Sequence, residues 1–82
     1  MTLKMPRMAD TATIRRLNTR IERLDVHNTE EMFSIGNVLN HCWLTRTMPR
    51  ELTEALVTKF TAIMDGSWYG DEPEEYTIRR YI

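Results

Sequence analysis

Apolar side chains recur at helical spacing through most of this 82-residue chain, and polar clusters divide them into segments. Ile14, Leu17, Ile21 and Leu24 follow one another at intervals of three, four and three, which places them on one narrow helical stripe. Asp10 precedes them as an N-cap, and the predicted first helix covers 10–24. Continuing that register would put Asn28 and Glu31 into the seam, so a break is expected across Asp25, Val26, His27 and Asn28. One unbroken helix from Asp10 to Arg46 is the alternative.

The break also makes a second start. Asn28, Thr29, Glu30 and Glu31 match a capping box, with Asn28 as cap, Glu31 reaching back and two carboxylates near the positive end of the helix dipole. Met32, Ile35, Leu39, Cys42 and Trp43 form the stripe of a second helix over 29–46. Phe33, Val38 and Leu44 lie off that stripe, so this helix is apolar on more than one side and is expected to be central. Gly36 in its interior costs about 1 kcal/mol relative to alanine, which either reflects close approach of another backbone or is simply tolerated.

Pro49 suits the first turn of a third helix, 49–65, whose stripe is Leu52, Leu56, Phe60 and Ile63 and whose C-cap is Gly66. The short connection through Thr45, Arg46, Thr47 and Met48 makes helices two and three antiparallel neighbours, an αα-hairpin. The first helix either packs on this hairpin or pairs with a second copy of the chain.

Ser67, Trp68, Tyr69 and Gly70 read as a turn. Asp71, Pro73 and Glu74 then resemble another helix start, and a short C-terminal helix over 72–81 is expected, with Arg79 and Arg80 complementing its dipole. Alternation of Tyr76, Ile78, Tyr81 and Ile82 allows a strand there instead. At the other end Leu3 and Met5 alternate with Thr2 and Lys4 before Pro6, and residues 1–9 are expected to form a flexible arm rather than an edge strand. The predicted fold is an all-α single domain over 1–82, a small bundle of three main helices with a central αα-hairpin.

Composition adds limits. At this length one core supplies only a few kcal/mol of net stability, so self-association is expected, as a homodimer. No apolar run reaches the ~18 residues of a membrane span, and Lys4 and Arg7 are not followed by the apolar region of a secretory signal. A single cysteine, Cys42, fits a reducing compartment, and the expected location is cytoplasmic.

The net charge of −1 conceals a division. Residues 1–23 carry Lys4, Arg7, Arg15, Arg16, Arg20 and Arg23 against Asp10 and Glu22, a net +4, and residues 24–82 carry −5. Segregation of this kind steers charged partners in a salt-dependent way.

Candidate chemistry is sparse. His41 and Cys42 are adjacent, so they point about 100° apart on a helix, and neither they nor His27 has metal-ligand spacing. Cys42 falls in an apolar stripe, and there is no nucleophile elbow or glycine-rich phosphate loop. Neither an enzyme nor a cofactor is expected.

Two surfaces remain. Trp68, Tyr69, Asp71, Glu72, Glu74, Glu75, Tyr76 and Tyr81 combine large aromatics with acids, the composition of a protein interface, although Trp68 and Tyr69 also suit the base of the hairpin. Lys4, Arg7, Arg15, Arg16, Arg20 and Arg23 could track phosphates, giving a DNA- or RNA-binding regulator as the alternative. A helix-turn-helix reader fits poorly, because the third helix sets Arg50 and Lys59 against Glu51, Glu54 and Asp65. A β-ribbon reader would be interrupted by Pro6. The expected function is therefore a small non-enzymatic interaction protein, an adaptor, inhibitor or regulator binding another macromolecule.

Overall fold

The structure, a computed structural model, describes residues 8–68. Three helices run in order, α1 (Thr11–Glu22), α2 (Thr29–Thr45) and α3 (Arg50–Asp65), with no strand among the described residues. The short helix expected over 72–81 lies outside them, as do residues 1–7 of the expected arm.

Side-chain and backbone caps set each boundary. The Asp10 carboxylate accepts from the Thr13 N–H at 2.8 Å and opens α1. Hydrogen bonds from the Thr13 side chain, then from its backbone N–H, with Arg16 nearby, outweigh desolvation and hold the Asp10 carboxyl below its ordinary 3.8. α1 stops two residues earlier than its stripe implies. The Leu24 N–H turns back to the Ile21 carbonyl, and the Asp25 carboxylate accepts from the His27 N–H in an Asx-turn that redirects the chain. Asn28 then caps α2 by accepting from the Glu31 N–H at 3.1 Å. The break is where the periodicity places it, which removes the single long helix. The reciprocal half of the capping box does not form. The Asn28 N–H donates to the Asp25 carbonyl, and the Glu31 carboxylate is held by Arg20.

α2 ends on Arg46 in the left-handed region, φ 56°. Pro49 is the N-cap of α3 rather than its first helical residue, with extended ψ of 139°. Its carbonyl accepts from both the N–H and the hydroxyl of Thr53. At the far end Gly66, φ 74°, closes α3, and the Ser67 N–H reaches the Ala62 carbonyl in a Schellman-type cap.

One core joins all three helices: Ile14, Leu17 and Ile21 of α1, Ile35, Leu39 and Cys42 of α2, and Leu52, Leu56 and Phe60 of α3. Met48, in the connection, plugs one end. The Ala9 N–H donates to the Thr47 carbonyl at 2.7 Å and ties the entry of α1 to this connection. The α1 stripe thus packs on the hairpin. α3, not α2, is the common partner, since it packs against both α1 and α2 more extensively than they pack on each other. The second apolar side of α2 faces outward, with Phe33 68% and Leu44 71% exposed.

Candidate functional site

That outward side of α2 is the main candidate surface. Phe33, Asn37, Asn40 and Leu44 are all exposed. Beside them a groove of about 610 Å³ runs between α2 and α3, lined by Gly36, Asn40, Trp43, Val57, Phe60 and Met64. Its walls are apolar except for the Asn40 amide, the Thr58 and Thr61 hydroxyls and the Glu54 carboxylate. Trp43 is held in place by the Arg50 guanidinium, 4.2 Å from its ring centroid. The position of Gly36 in the groove has no internal cause: a Cβ there would meet Phe60 Cε2 at 3.8 Å, an ordinary contact, so no close backbone approach is present.

A second feature is a buried polar cluster between α1 and α3. Lys59 is fully buried, and its Nζ donates to Asn18 Oδ1 and to Glu22 Oε2, both at 2.9 Å. The same Nζ lies 5.1 Å from the centroid of the half-buried Trp68 ring. Glu22 keeps 45% of its side chain in water, so the cluster is open at that end and closed at Asn18, which is 6% exposed. Reading Lys59 as a surface charge missed this. The signal was its spacing, for position 59 follows Leu52 by seven residues and sits on the same face as Leu52, Leu56 and Ile63. A lysine centred on a buried stripe needs an acceptor. Asn18 and Glu22 lie on the margin of the α1 stripe that faces it.

The arginine group of α1 divides. Arg15, Arg16 and Arg23 are exposed, and Arg16 donates to the Thr13 hydroxyl at 3.4 Å. Arg20 does not share their exposure. It lies at the other margin of the stripe, where Nε donates to Glu31 Oε1 and Nη2 to Ser34 Oγ, each at 2.9 Å, joining α1 to α2. Lys4 and Arg7 lie outside the described residues, as do Tyr69, Asp71, Glu72, Glu74, Glu75, Tyr76 and Tyr81. Trp68 packs over Lys59, on the α1 side of α3.

Cys42 is a buried free thiol and His41 is exposed one position before it. Among the described residues no group of three or more His, Cys, Asp or Glu side chains is placed to hold a metal ion. No helix among them is long and apolar enough to cross a membrane. No protein-family model, curated protein or solved structure matches the chain.

Proposed function

We propose that the chain is a small non-enzymatic interaction protein, an adaptor, inhibitor or regulator that binds another macromolecule in the cytoplasm and acts as a homodimer. The observation that carries this reading is the outer face of α2, where Phe33 and Leu44 stay 68% and 71% exposed although the core is already closed by the opposite side of the helix. Two large apolar side chains left this exposed beside the Trp43 groove support a binding role for this face. The segment from Trp68 to Tyr81 supplies further aromatic and acidic contacts in this reading, with Trp68 as its fixed point. Affinity capture from the native cell, with and without nuclease, tests it by mass spectrometry. A protein partner retained in both samples is expected. Retention of nothing above background, or of nuclease-sensitive material alone, would sink the reading.

A second reading, a DNA- or RNA-binding regulator, is favoured by the exposure of Arg15, Arg16 and Arg23 along one helix. α3 is a poor reader in any case, because Lys59 is fully buried in the core cluster. This reading predicts a gel shift at low salt whose salt dependence drops by about one unit of slope for each phosphate that Arg16→Ala or Arg23→Ala no longer neutralises. Absence of any shift at low salt removes it.

A further inference from the structure

We infer that the outer stripe of α2 is a self-pairing seam, occupied by α2 of a second copy running antiparallel. This rests on the interaction-protein reading above and names one partner for it, the chain itself.

Phe33, Asn37, Asn40 and Leu44 are spaced four, three and four apart and fall within an arc of about 60° on the helix. Such spacing is that of a two-heptad coiled-coil seam. The opposite side of α2, with Ile35, Leu39 and Cys42, is buried in the bundle, so these four are a second seam that the described residues leave open. The α1 stripe, the other candidate for pairing, is already buried against the hairpin.

The stripe is complementary to itself. Its four positions are symmetric about the peptide joining Val38 to Leu39: Asn37 and Asn40 are equidistant from it, and so are Phe33 and Leu44. A two-fold axis at that point sets Phe33 against Leu44 of the second copy and Asn37 against Asn40, twice over, as an isologous contact requires. Each apolar side chain then meets an apolar one. Each carboxamide meets another carboxamide, with a donor and an acceptor on both sides.

Charge selects this direction over the parallel one. Continuing the seam by three residues towards the N-terminus reaches Glu30, whereas towards the C-terminus α2 ends at Thr45 before another seam position. Parallel helices would oppose Glu30 to Glu30, whereas the antiparallel pair places the two Glu30 side chains at opposite ends of the seam and aligns the helix dipoles favourably. Sliding the antiparallel pair by one heptad would set asparagines against Phe33 or Leu44 and leave an amide facing an apolar side chain. The asparagines therefore fix the register.

Only two heptads are involved, so the dimer is weak and reversible. Light scattering on the full chain across a dilution series should pass from twice the monomer mass to the monomer mass. Phe33→Glu should raise the dissociation constant at least about thirtyfold with unchanged far-ultraviolet circular dichroism. Disulfide trapping reads the direction. A Phe33→Cys chain mixed with a Leu44→Cys chain should cross-link on mild oxidation, and Phe33→Cys alone should not. Cross-linking of Phe33→Cys to itself would overturn the antiparallel arrangement. A wild-type chain monomeric throughout would overturn the pairing altogether and assign the stripe to the chain's own terminal segment or to a different protein. A monomer that retains a protein in affinity capture leaves the interaction reading standing without the pairing, whereas a dimer that captures nothing supports the pairing and sinks the foreign partner.

Discussion

Lys59 and Asn18 should behave as one unit in a double-mutant cycle. Asn18→Leu removes a neutral acceptor from a fully buried ammonium, a bond 2.9 Å long whose loss costs about 1.5–3 kcal/mol. Lys59→Met keeps the length of the side chain but deprives the buried Asn18 amide of its donor, which costs about 1–3 kcal/mol. Releasing Glu22 adds little, because its side chain is 45% exposed and water takes over. Independent effects would sum to about 4 kcal/mol in the double variant. Replacing both partners by apolar groups instead removes the reason for either penalty, and the pair together should cost only about 1 kcal/mol. The expected coupling is thus at least about 2 kcal/mol, read from urea unfolding followed at 222 nm on the four proteins. Each single variant should also melt about 10 °C below wild type. Additivity within about 0.5 kcal/mol would refute the claim that Lys59 and Asn18 stabilise each other in the folded chain.

Three further substitutions test separate parts of the backbone and its caps. Gly36→Ala should stabilise the fold by up to about 1 kcal/mol, because a Cβ has room beside Phe60 and alanine is the better helix former; urea unfolding would show a loss of stability if another group in fact fills that space. Arg46→Gly should stabilise by about 0.5–1 kcal/mol by relieving a side chain at φ 56°, with a lowered denaturation midpoint as the contrary result. The Asp10 carboxyl titrates below its unfolded value, so its contribution to stability is present above about pH 4 and is lost as the pH falls through the lower folded value. Thermal unfolding of Asp10→Asn between pH 2 and 6 should lack that share of the acid-side decline, and a profile parallel to wild type would contradict it.

How much of this was legible in sequence follows from how local each cause is. Asp10, Asn28 and Gly66 act on neighbours within three to five residues, and all three cap helices where the pattern places them. The α1 stripe and the hairpin were legible for the same reason, since burial of a periodic face needs no knowledge of its partner. Arg46 was not legible, because an arginine in the left-handed region carries none of the glycine signal that marks Gly66. The far-reaching polar contacts were hidden more deeply. Arg20 reaches Glu31 eleven positions away and Lys59 reaches Asn18 forty-one away, so each pairing depends on how the helices cross. Glu31 shows the competition directly: its local role in a capping box yields to a guanidinium delivered by another helix. Phe33 and Leu44 are legible in sequence as apolar positions off the main stripe, but their exposure of 68% and 71% depends on how the helices pack.

The outer face of α2 is proposed above to pair with its copy in one defined register. Sedimentation equilibrium of Phe33→Lys beside the double substitution Phe33→Lys with Leu44→Glu distinguishes that register from any other. The single change should dissociate the dimer and the double change should restore it to within about tenfold of wild type, since each new lysine then faces a new glutamate of the other copy. A double variant no more associated than the single one, or a wild type whose mass neither change alters, would contradict it.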